Sequence, residues 1–84
     1  MKLSRIFKLD EGLEIVCESK STRNGFKHVA IIYNSGGFPI VETKICYLNR
    51  TWESFEFQSV AFKAIDLLDM PLQFLQKQKE SLRV

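Results

Sequence analysis

Apolar and polar positions change their rhythm once along this chain. Through the first half they alternate in twos, the period of a half-buried strand. From Phe57 onward they recur at spacings of three and four, the period of a helix. Gly12, Asn24-Gly25 and Gly36-Gly37 punctuate the first half. Gly and Asn tolerate the positive φ that tight turns demand, so these are turn signals. Between them lie Leu13 to Glu18, Phe26 to Tyr33 and Phe38 to Leu48, each rich in β-branched or aromatic residues. Residues 4 to 9 make a further strand, paired back through Asp10-Glu11-Gly12. The pattern predicts four antiparallel strands in meander order, the last two joined by a hairpin at Asn34-Ser35-Gly36-Gly37.

Face assignment follows from the alternation. Leu13, Ile15 and Cys17 alternate with Glu14 and Glu18, so one face of that strand is wet. Val29 to Tyr33 is apolar on both faces, which suits a central strand with cover on each side. Val41, Thr43, Ile45 and Tyr47 oppose Glu42, Lys44 and Cys46, whose charges are expected to find opposite charges across the strands. Phe57, Val60, Ala61, Ala64, Ile65 and Leu68 form one helical stripe, with Ser59 or Thr51 as candidate caps. Met70-Pro71 ends that helix, because Pro disfavours helical backbone in the residue before it. Pro71 then opens a second helix over 71–81, with a weaker stripe at Leu72, Leu75 and Leu82. The expectation is one α+β domain over residues 1–84. An antiparallel sheet of three to four strands packs on one C-terminal helix, and a second short helix ends the chain.

Composition narrows the class. With 45% hydrophobic residues and 12% aromatic, the chain reads as a packed globule. Twelve basic and ten acidic residues leave a net charge of +2, short of the basic excess usual in dedicated DNA-binding modules. No run approaches the ~18 apolar residues of a membrane span. The charges at Lys2, Arg5, Lys8, Asp10 and Glu11 break up any secretory-length apolar stretch. Cytoplasmic residence without a membrane role is therefore the expectation, with Cys17 and Cys46 reduced, buried and not bridged to one another.

Chemistry finds little to work with. His28 is the one histidine, and either cysteine could approach it across a sheet. Neither sits at a helix start, where the dipole would make a thiolate. One His and two isolated Cys do not form a zinc set, and no glycine-rich turn cradles phosphate. The expectation is a chain that is not an enzyme and takes no metal or cofactor.

Binding has more to offer. Lys20-Ser21-Thr22-Arg23-Asn24-Gly25-Phe26-Lys27-His28 reads as a basic loop with one aromatic. Positive charge tracks phosphates, and rings stack on bases. The candidate binding residues are Lys20, Arg23, Lys27, His28, Lys44 and Arg50, the last beside Trp52. The plain alternative is a soluble loop, with Trp52, Phe55 and Phe57 in the core. Trp52 is expected to be at least half buried, after a turn at Asn49-Arg50-Thr51. The functional reading is a non-catalytic module that binds nucleic acid through the basic loop and sheet surface. The alternative is a protein–protein interaction module, as a host-protein binder or homodimer, since Trp, Tyr, Phe and Arg also concentrate at interface centres.

Two segments carry a resemblance. Gly25-Phe26-Lys27-His28-Val29-Ala30 and Lys44-Ile45-Cys46-Tyr47-Leu48-Asn49-Arg50-Thr51-Trp52-Glu53-Ser54-Phe55-Glu56-Phe57 resemble a small uncharacterised protein family of phages and mobile elements of Gram-positive bacteria. The likeness covers the middle half of the chain. It implies a context in which short accessory proteins bind nucleic acid or host proteins, and it carries no assigned activity.

Overall fold

The computed structural model describes residues 2–48 and 57–82. Four strands come first: β1 (Lys2–Lys8), β2 (Glu14–Thr22), β3 (Gly25–Tyr33) and β4 (Pro39–Leu48). Two helices follow, α1 (Gln58–Asp66) and α2 (Leu72–Leu82). The strands form one antiparallel sheet in the order β1-β2-β3-β4. This is the expected α+β meander, with all four strands and both helices present. Among the described residues no helix is long and apolar enough to cross a membrane.

Turn chemistry sets the register. β1 and β2 are joined through a single 3-10 turn at Asp10–Gly12, where Glu11 (φ 61) and Gly12 (φ 77) are both left-handed. A Cβ on Gly12 would sit 2.8 Å from Ser35 Cβ, so this turn can nestle against the β3–β4 hairpin only as glycine. In that hairpin the Asn34 side-chain oxygen accepts from the N–H groups of Gly36 (2.9 Å) and Phe38 (3.0 Å). The Asn34 N–H donates to the Phe38 carbonyl and its own carbonyl accepts from Gly37, both at 2.9 Å. Between β2 and β3 only Arg23-Asn24 lies outside the strands. Gly25 then packs its backbone so closely on β4 that a Cβ would fall 1.8 Å from the Tyr47 carbonyl oxygen.

This corrects the sequence reading of residues 20–28. They are not a loop. β2 runs on to Thr22 and β3 begins at Gly25, so Lys20, Lys27 and His28 stand on paired strands.

One face of the sheet carries the core. Register aligns Phe7, Ile15, Ile32 and Val41 across all four strands, and a second row runs Arg5, Cys17, Ala30, Thr43. α1 lies over this face and contributes Val60, Ala61, Ala64 and Ile65, all fully buried, flanked by Phe57 and Leu68. The expected stripe of α1 is therefore the buried one. Its N-cap position is Phe57, which makes no side-chain cap, and Ser59 lies inside the helix, not at the cap position expected for it.

α2 packs two of its three expected stripe positions, Leu75 and Leu82, and leaves the third in solvent. Leu72 is 78% exposed, whereas Gln78 is 2% exposed and Leu82 is buried. Phe74, Leu75, Gln78 and Leu82 make the packed side. Gln78 is held from outside the helix: its side-chain N–H donates to Asp10 Oδ2 (3.0 Å) and its oxygen accepts from the Asp10 backbone N–H (3.3 Å). Asp10 also pairs with Lys77 at 3.4 Å. Gln58 Nε2 donates to the Leu82 carbonyl at 2.7 Å, and Lys79 pairs with Asp66. These bonds lash α2 to both α1 and the β1–β2 turn.

Candidate binding surface

The second face of the sheet has no element of the described chain over it. Among the described residues the expected cover of β3 is present on one side, where α1 packs. Five register rows cross this open face, the last, Thr22–Gly25–Leu48, beside the β2–β3 turn. Lys8, Glu14 and Tyr33 form the row nearest the β3–β4 hairpin. Next comes Ile6–Val16–Ile31–Glu42, then Ser4–Glu18–Val29–Lys44, then Lys2–Lys20–Lys27–Cys46. Glu42 and Lys44 thus oppose Ile31 and Val29, not the opposite charges expected for them.

The candidate residues divide across the two faces. Lys20 and Lys27 are directly opposed on the open face, and Lys2 holds the next register position beyond Lys20. Lys44 is diagonal to Lys27, one row along, and is exposed. Arg23 is exposed in the two-residue turn at the same end. Of the candidates, Lys20, Lys27, Lys44 and Arg23 thus lie toward one end of the sheet. His28 does not join them: it lies on the covered face, opposite Ser19 and Ile45, and is fully buried. The reason is parity, because neighbouring residues of one strand point to opposite faces. Arg50 lies outside the described residues, as do the Asn49-Arg50-Thr51 turn, the Thr51 cap and Trp52.

His28 belongs instead to an aromatic cluster. Its ring meets Phe26 and Tyr47 edge-on, each at 5.5 Å, and Phe57 at 6.3 Å, while Phe26 stacks on Tyr47 at 4.6 Å. Burial pushes its pKa below the ordinary 6.5, so the ring is neutral at pH 7. Cys17 shares this face, and burial pushes its thiol up to about 12 against a small opposing pull from Arg5. A thiol so protonated is no nucleophile. Cys46 is exposed on the open face beside Lys27, contrary to the expectation of burial; both thiols are free. Among the described residues no group of three or more His, Cys, Asp or Glu is arranged to hold a metal.

Sequence reasoning picked Lys20 and Lys27 for their charge and missed that they face each other. Asn24-Gly25 marked the turn, but its two central residues are Arg23 and Asn24, one place earlier, and that register is what brings Lys20 opposite Lys27. It also missed the apolar stripe of Ile6, Val16 and Ile31 on the open face, where Ile6 is 57% exposed. No protein-family model, curated protein or solved structure matches the chain.

Proposed function

We propose that this domain binds the phosphate backbone of nucleic acid at the β2–β3 turn end of its open sheet face. The observation that carries the reading is the opposed pair Lys20 and Lys27, with Lys44 diagonal to it, Lys2 in register and Arg23 in the adjoining turn. Like charges placed directly across two strands cost folding free energy, so an anion that bridges them returns what the sheet gives up. Adjacent strands lie about 4.8 Å apart, which lets one phosphodiester reach two ammonium groups. Glu42 and Glu14 stand in the rows farther from that end, and Glu18 shares the row of Lys44.

The test is fluorescence anisotropy of a labelled single-stranded oligonucleotide across a salt series. Affinity should fall with a log–log slope of about −0.7 for each phosphate neutralised, and Lys20→Ala or Lys27→Ala should reduce that slope by roughly one contact. Binding indifferent to salt, or variants equal to the parent, would dismiss the reading. A second reading, docking of another protein on this face, is favoured by the Ile6–Val16–Ile31 stripe. It requires a partner whose affinity changes little with ionic strength and drops on Ile6→Ser.

A further inference from the structure

The two edges of the sheet differ in how they meet a copy of themselves. β1 and β4 are both outermost strands with one unpaired side. Pair β1 antiparallel with a second β1 about its centre, and Arg5 opposes Arg5 while Lys2 opposes Lys8. That edge repels itself. Pair β4 with a second β4 about Thr43, and every position finds a match. Glu42 opposes Lys44 on the open face, twice by symmetry. Val41 opposes Ile45 on the covered face, and Ile40 opposes Cys46.

We infer that β4 pairs antiparallel with the β4 of a second copy of this chain, joining two four-stranded sheets into one continuous sheet with its two-fold axis at Thr43. The occupant is chosen by charge complementarity. Within one copy Glu42 and Lys44 oppose Ile31 and Val29 on β3, so each still lacks an opposite charge directly across a strand. Both are exposed, and with Thr43 they line a shallow cleft. Opposite-charge and β-branched pairs of this sort are what set strand register. The symmetry is isologous and closes at two copies, so β4 leaves no further edge and only the self-repelling β1 edges remain.

Two details fit the arrangement. Lys63 Nζ, from α1, donates to the Lys44 backbone carbonyl at 3.3 Å. A lysine guarding an edge carbonyl is a usual way to keep a strand from indiscriminate pairing, and a partner's N–H would take its place. An axis perpendicular to the sheet also keeps both open faces on the same side. The Lys20, Lys27 and Arg23 clusters of the two copies then share one surface, with Lys44 engaged by the partner's Glu42.

Sedimentation velocity over a concentration series tests this. The parent should move from 9.8 kDa toward twice that mass as concentration rises. Lys44→Glu or Glu42→Lys alone places like charges opposite at both symmetry-related positions and should weaken association about tenfold or more. The swap Glu42→Lys with Lys44→Glu restores the opposed pairs and should recover it. Both positions are exposed, and circular dichroism of each variant checks that the fold is kept. A parent that stays monomeric to its solubility limit overturns the inference. So do single variants that associate as well as the parent, or a double swap no better than the singles.

Discussion

Ile31 and Ile32 are neighbours on β3 and have opposite surroundings. Ile32 sits in a row with Phe7, Ile15 and Val41 and is fully buried, whereas Ile31 lies between Val16 and Glu42 on a face that no helix of the described residues covers. The covered face is largely apolar and closed, with Ser19, His28 and Thr43 buried in it and Arg5 exposed at its β1 edge. The open face is mixed, with Ile6, Val16, Ile31 and Val29 at its centre, Lys8 and Glu14 in the row nearest the β3–β4 hairpin, Glu42, Glu18 and Lys44 in the middle rows, and Lys20 and Lys27 toward the β2–β3 turn. The same backbone thus carries one surface closed by packing and one that the described elements leave open.

The sharpest way to break that comparison is to truncate each neighbour in turn. Ile32→Ala should cost about 2–5 kcal/mol, as expected for a core isoleucine, while Ile31→Ala should cost no more than about 1 kcal/mol. Urea unfolding with unchanged slopes measures both. Equal losses would mean that the open face is covered after all.

His28 gives the next difference. Its folded pKa lies below 6.5, so the unfolded chain takes up the proton first as the pH drops. Stability is therefore constant above about pH 6.5 and declines as the pH falls from there toward the folded pKa. Asp10 acts in a separate, lower window. Its carboxyl is held below 3.8 by the Gln78 hydrogen bond and by Lys77, so its contribution is lost only as the pH falls through 3.8 and below. His28→Phe should flatten the first decline in thermal melts between pH 5 and 7 and leave the acidic one.

The cysteines report the same contrast by rate. Cys46 should react with an aromatic disulfide reagent in the native state, and Cys17 only on unfolding. Two thiols modified together in native buffer would contradict the assignment of faces.

The smallest effect concerns Lys27→Glu. It turns a like-charge pair with Lys20 into an opposite one, so it should stabilise the fold by a few tenths of a kcal/mol, as for other cross-strand pairs. A gain in melting temperature with loss of oligonucleotide binding separates ligand contact from folding. A loss of stability would show that the lysines support the sheet.

Much of this was legible in the residues. The turns at Gly12, Asn24-Gly25 and Asn34 to Gly37 marked the hairpins, and the α1 stripe is the buried one. The inner face of β4 was read from Val41, Thr43, Ile45 and Tyr47, whose alternation is clean. β3 gave no such reading, because Val29 to Ile32 is unbroken and parity has nothing polar to mark it. His28 was therefore assigned to the basic surface when its register partner Ser19 puts it inside. In α2 the stripe held at Leu75 and Leu82 but missed Gln78, for a different reason. Gln78 is buried because Asp10 holds it, and that partner stands 68 residues away in sequence, where no local periodicity can announce it. A stripe of leucines suggested Leu72, which the fold leaves in solvent.

That distant partnership bears on the order in which the molecule assembles. Each strand pairs with its neighbour in sequence, so the meander can zip hairpin by hairpin at low entropic cost. The Gln78–Asp10 clasp closes a loop spanning nearly the whole chain and gains nothing until the sheet exists. α2 is then the last element to dock and the first to leave. Its amides should exchange with solvent ahead of those in β2 and β3, in a partial opening that leaves the sheet intact and bares the flank of α1.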